Sequence, residues 1–235
     1  MRIRPYGDQG LIIEFEAERS LQTHKKVTSI FEALHKNLLE GVYNIIPAYH
    51  SLVISFDALI VSFDVVQRWV NQAYATNKKS NTPNVAYKLP VCYDTSFGFD
   101  QISIADRLDL TIDKMIELHV GIDYRIYCIG FMPGFTYLGY LQDPLVGKRL
   151  DIPRTIVPKG SVGIAGLQTG IYPADLPGGW EIIGRCPIPT FLPELVEPFP
   201  FKIGDSFCFY KISKEEYECW NQKDWMKEDY QQFLV

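Results

Sequence analysis

The chain has 235 residues, 47% of them hydrophobic and 22% charged, and a formal net charge of −5. It is long enough for one large domain or two small ones and apolar enough for a real core, which excludes disorder as the dominant state. No apolar run approaches the ~20 residues of a membrane-spanning helix. The N-terminus has no stretch of signal-peptide length, and a mildly acidic chain without a basic stripe does not suit nucleic acid.

In chain order, residues 3–6 and 11–15 read as strands around the turn Gly7-Asp8-Gln9-Gly10. Ser20 suits a helix N-cap, with Val27, Ile30, Phe31, Leu34 and Leu38 at helical spacing and Gly41 as the expected stop. Residues 42–46 and 52–56 are strand-like. Residues 64–75 predict a second helix with Val65, Val66, Trp69, Val70 and Ala73 on one side. Two strands and a helix, taken twice, suggest a small split β-α-β domain over residues 1–77. The polar segment 78–84 reads as a linker, and residues 85–235 as a second domain.

That second domain restarts with a strand at 85–91. Thr111 opens a helix through Met115, Ile116 and His119 that ends near Gly121, and residues 124–129 form a strand. Eleven of the 17 glycines then fall between Gly130 and Gly184, among short apolar runs, which implies closely spaced strands of a β-barrel or a compact sandwich. Gly204-Asp205 marks a turn before a strand at 207–212. Ser213 with Glu216 is a capping-box pattern opening a terminal helix, and 224–234 adds a last helical turn or two. The fold class expected is therefore α+β.

Several chemistries are excluded. There is no phosphate-binding loop, no Gly-x-Ser-x-Gly elbow and no His-Glu-x-x-His. His24 and His35 share a helix face but lie about 16 Å apart along the axis, too far to share a metal. His50 and His119 have no carboxylate or thiol at ligand spacing, so no metal site is expected. Cys92, Cys128, Cys186, Cys208 and Cys219 are odd in number, widely spaced and free of Cys-x-x-Cys pairs. They read as apolar thiols of a reducing compartment, the cytoplasm.

Candidate chemistry concentrates between Gly130 and Pro187. Phe131, Phe135 and Tyr137 do not all fit the core of one tight loop, so they wedge into a barrel or line a cleft. Pro133-Gly134 forces a turn with positive φ at the glycine. Gly160, Gly163 and Gly166, three residues apart, permit close approach by a backbone or a ligand, or mark bends at barrel corners. Gln168, Thr169 and Tyr172 bring an amide, a hydroxyl and a phenol within five residues, and Trp180 follows a flexible Gly178-Gly179 turn. Arg154 and Arg185 are the candidate carboxylate grips, because a guanidinium fork binds a carboxylate bidentately; each could equally form a surface salt bridge. A cleft or contact face made of these residues is expected, with no catalytic residue identified.

The stretches Gly130-Phe131-x-Pro133-Gly134-Phe135-x-Tyr137-Leu138, Pro153-Arg154, Val157-Pro158-x-Gly160-Ser161-Val162-Gly163-Ile164-Ala165-Gly166, Gln168-Thr169-Gly170-Ile171-Tyr172-Pro173 and Pro177-Gly178-Gly179-Trp180-x-x-Ile183-Gly184-Arg185 resemble the KipI family. That family is also described as the B subunit of 5-oxoprolinase, as allophanate hydrolase subunit 1 and as a carboxyltransferase C/D domain. Pro90 to Asp94, His119 and Gly204-Asp205 follow its pattern. Cys186 departs from the usual threonine, and Gly147-Lys148-Arg149 stands where a proline-arginine pair is expected. The resemblance implies a cyclophilin-like β-barrel after a small α/β domain, in fold only. It implies one component, silent alone, of an ATP-dependent hydrolase that opens 5-oxoproline to L-glutamate. The partners implied are a LamB/YcsF-type A subunit together with a KipA-type C subunit, with ATP and magnesium bound by or with them. Relatives imply two alternatives, an inhibitor of a sensor histidine kinase and the carboxyltransferase half of a urea carboxylase.

Overall fold

The computed structural model describes residues 1–15, 20–76 and 84–235, and contacts divide the chain into two compact units, Met1–Pro83 and Asn84–Val235. The expected linker 78–84 lies, apart from Asn84, outside the described residues.

In the first unit β1 (Arg2–Pro5) and β2 (Gly10–Glu14) pair antiparallel across the expected turn, with the Tyr6 amide donating to Gly10 O at 2.9 Å. Helix α1 (Leu21–Lys36) starts at Ser20, whose hydroxyl accepts from Thr23 N at 3.2 Å. It ends at Asn37 rather than near Gly41, which leaves Leu38 exposed outside the helix while Leu39 turns back onto the core. Strands β3 (Val42–Pro47) and β4 (Ser51–Phe56) precede α2 (Phe63–Thr76). The sheet order is β1-β2-β4-β3 with every pair antiparallel. Strands β2 and β3, joined through α1, therefore run parallel with β4 inserted between them, the split β-α-β arrangement expected. Leu11, Ile13, Leu52 and Ile54 alternate inward and meet Val27, Leu34, Val66 and Val70 from the two helices.

The second unit contains β5 (Ala86–Cys92), α3 (Gln101–Leu108), α4 (Ile112–Val120), β6 (Asp123–Ile129) and β7 (Thr136–Gly139). It continues with β8 (Arg154–Val157), β9 (Ser161–Ala165), β10 (Gln168–Ile171), β11 (Leu176–Gly178), β12 (Glu181–Arg185), β13 (Ser206–Ile212) and α5 (Lys214–Asn221). Seven strands close a barrel in the order β10-β7-β6-β13-β5-β12-β9, while β8 and β11 form a separate two-stranded sheet. Closure, not a two-sheet sandwich, thus accounts for the short glycine-rich strands. Thr111 caps α4, and the Ser213–Glu216 capping box opens α5. The last expected helix is a 3-10 segment, Lys227–Phe233. Helix α3 is an addition to the expected elements. Its first flanking residue, Asp100, makes no side-chain cap bond, and its carboxylate instead accepts from Ile182 N at 2.6 Å.

Among the described residues no helix is long and apolar enough to cross a membrane. All five cysteines are free thiols; Cys92 and Cys186 are buried and Cys219 is exposed.

Candidate functional site

Outside the barrel wall, a second apolar cluster gathers Phe135, Tyr172, Trp180, Val157, Leu176 and Ile182, with Tyr137 at its edge. Phe135 is its centre. Its ring meets Trp180 edge-on at 5.3 Å, Tyr172 edge-on at 5.1 Å and Tyr137 tilted at 4.8 Å. Two glycines make room for these rings. A Cβ on Gly178 would stand 2.3 Å from the Tyr172 hydroxyl, and one on Gly170 would stand 2.6 Å from the Thr136 carbonyl and 3.1 Å from Trp180.

The rings wall a cleft of about 230 Å³. Phe131 forms its rim, 64% exposed and 5.9 Å from Phe135. Its backbone sits at φ +70, a left-handed conformation that costs a bulky residue energy, and Gly134 takes the expected positive φ of +84.

Arg149 supplies the cleft's cation. Its position is set from both sides. The Lys148 amide donates to Glu181 Oε2 at 3.2 Å, and the Leu150 amide donates to Gly179 O at 2.7 Å. Glu181 is in turn held by Arg107 at 2.5 Å. Among the described residues no acid pairs with Arg149, and no acid lines the cleft. Desolvation raises the pKa of both Tyr137 and Tyr172, with Arg149 partly opposing it, so both phenols keep their protons at neutral pH.

Of the residues expected at one site, the structure brings together Phe131, Phe135, Tyr137, Tyr172 and Trp180. The other four lie elsewhere. Arg154 donates to Asp100 Oδ1 at 2.6 Å and to Trp180 O at 3.3 Å, with its guanidinium over the Phe99 ring at 4.7 Å. Arg185 stacks over Phe97 at 4.6 Å, beside Tyr217. Gln168 stands on β10 between Gly139 and Ala165. Thr169 is buried and bonds within the barrel. Arg149 is the residue that sequence reasoning passed over, although it stood in a segment that departs from the family pattern.

Thr169 belongs to a buried polar chain. Its hydroxyl donates to Gly163 O at 3.0 Å, so it accepts from His119 Nε2 at 3.0 Å, and His119 Nδ1 accepts from the Tyr93 hydroxyl at 2.8 Å. The imidazole is fully buried between Phe209 and Tyr124, and burial pulls its pKa down to about 3. His119 is a satisfied core histidine, as its isolation in the sequence suggests.

Residues 1–201 match the family model for the carboxyltransferase domain, subdomain C and D. The chain belongs to that family. It is 32% identical over 234 residues to the 5-oxoprolinase B subunit of Bacillus subtilis (strain 168), covering 94% of this chain and 97% of that one. To the 5-oxoprolinase B subunit of Escherichia coli O157:H7 it is 31% identical over 205 residues, covering 86% and 92%. Among solved structures, the protein TTHA0988 superposes with a TM-score of 0.80 at 29% identity over 90% of this chain. This chain spans 41% of that protein's length.

Proposed function

We propose that this family member serves as the B subunit of an ATP-dependent 5-oxoprolinase, opening 5-oxo-L-proline to L-glutamate. It acts with a LamB/YcsF-type A subunit together with a KipA-type C subunit, in the cytoplasm. The observation that carries this reading is near-complete mutual coverage with the curated Bacillus subtilis protein. The similarity runs through almost the whole of both chains, so this chain and that subunit correspond end to end.

The residues present do not fit a nucleoside triphosphate. The cleft lining offers one cation, Arg149, and no carboxylate, whereas phosphoryl transfer needs several cationic or amide donors and magnesium held by acids. Among the described residues no three histidine, cysteine or acidic side chains converge on one point. In this reading ATP and magnesium are bound by or with the partner proteins. What this chain offers is an aromatic wall that excludes water and two neutral phenols able to donate hydrogen bonds.

The test is reconstitution. The purified chain is expected to give no 5-oxoproline-dependent ATP hydrolysis, and adding the LamB/YcsF-type and KipA-type partners is expected to restore glutamate release, followed by coupled assay. Turnover by the chain alone would sink the reading of a non-autonomous component. A second reading is favoured by the carboxyltransferase family model and by similarity to a putative urea carboxylase of Emericella nidulans, 24% identical over 60% of this chain. An assembled mixture that is silent toward 5-oxoproline but carboxylates a small amide with a biotin carrier would move the assignment there.

A further inference from the structure

The cleft's cation has no anion among the described residues, and its walls are rings. Resting on the reading above and deepening it, we propose that Arg149 takes the carboxylate of a small ring acid whose ring lies against Phe135, Tyr137 and Trp180.

The volume limits the ligand first. About 230 Å³ falls below the ~300–1,000 Å³ of ordinary ligand pockets, which suits a single small ring. Charge comes second. Arg149 is exposed and faces no acid in the cleft lining, so its planar fork is free to take an incoming carboxylate through two parallel hydrogen bonds. The third point is preorganisation. Arg149 is held between the Lys148–Glu181 and Leu150–Gly179 hydrogen bonds, and Glu181 is braced by Arg107. A cation on a pinned segment loses less freedom on binding than one on a free loop. Finally, burial raises the pKa of Tyr137 and Tyr172, so both phenols stay neutral and do not repel the ligand's charge. Phe131, strained and exposed at the mouth, is placed to fold over a bound ring.

Titration calorimetry on the full chain tests this with 5-oxo-L-proline, with 2-pyrrolidinone as the same ring without its carboxylate, and with pyrrole-2-carboxylate as a second ring acid. The variants are Arg149→Gln and Arg149→Lys, with thermal melts as a folding control; Arg149 is exposed, so both are expected to melt like the parent. The expected result is that a ring acid binds, that 2-pyrrolidinone binds at least tenfold more weakly, and that Arg149→Gln weakens the acid by about 10- to 100-fold. Arg149→Lys is expected to fall between, since an ammonium lacks the planar fork. If affinity proves too low in the isolated chain, the reconstituted complex is used, where Arg149→Gln is expected to raise KM for 5-oxoproline at least tenfold. Equal affinity of parent and Arg149→Gln, or an unchanged KM, overturns the inference while leaving the place in the complex standing. Conversely, an acid bound through Arg149 in a chain whose complex never turns over 5-oxoproline sustains the site and removes that substrate.

Discussion

Arg154 begins β8, is not part of the cleft lining, and has Asp100 at 2.6 Å and Phe99 beneath its guanidinium. Asp100 also accepts from Ile182 N, so this ion pair ties the loop before α3 to β12. Arg154→Ala would leave a carboxylate that is 10% exposed without its counter-charge. Because 29% of the arginine side chain remains in solvent, the expected loss is about 2–3 kcal/mol, below the ~3–5 kcal/mol of a fully buried pair. Urea denaturation checks this, and binding of a ring acid is expected to change little. An Arg154→Ala protein of parental stability that no longer binds the acid would return Arg154 to the site. Nothing in the local sequence separates Arg154 from Arg149. Both lie in the same glycine- and proline-rich stretch; the pairing of Arg154 with Gly178 and the bonds of Lys148 and Leu150 to Glu181 and Gly179, all distant in sequence, set them apart.

At the scale of elements, α4 is joined to the barrel through His119. The chain from Tyr93 through His119 and Thr169 to the Gly163 carbonyl links the end of β5, the helix, β10 and β9. An imidazole ordinarily takes a proton near 6.5, but burial holds this one neutral down to about 3. Between those values the unfolded chain binds a proton that the native chain does not. The contribution to stability is therefore complete above about pH 6.5 and falls with acidification through that window, by about 1.4 kcal/mol per unit. His119→Gln removes this titration. The gap in unfolding free energy between parent and variant is expected to narrow steadily from pH 7 to pH 4, measured by denaturant titration. A gap that stays constant would mean that the imidazole takes up its proton over the same pH range folded as unfolded. Helix α4 is legible in the sequence because Thr111 and Gly121 bracket an apolar stripe. Helix α3 is not, since Asp100 gives its carboxylate to a distant strand and Gln101 its amide to Ile183 O and Tyr93 O. The ring cluster is readable as excess aromatics among glycines. That Gly170 and Gly178 are the ones clearing space for Trp180 and Tyr172 depends on contacts far apart in sequence.

Among the described residues the first unit packs around Leu11, Ile54 and Val66, and the barrel of the second around Leu89, Tyr124 and Phe207. Each unit satisfies its own sheet, so each is expected to fold alone. A fragment spanning residues 84–235 is expected to show one cooperative urea transition and retained near-ultraviolet circular dichroism. A broad, featureless transition would show that the barrel requires the first unit.

The barrel's closing order bears on how the protein is made. Strand β13 lies between β5 and β6, parallel to the first and antiparallel to the second. On the ribosome β5 emerges first and β13 last, so β5 and β6 wait with bare edges until the far end of the barrel is translated. Such edges recruit other strands. A transcript truncated ahead of Ser206 would release a chain whose cylinder cannot close, with Tyr87 and Leu89 lacking their neighbours Phe207 and Phe209. A chain cut ahead of Ser206 is therefore expected to aggregate, where the full chain closes its cylinder.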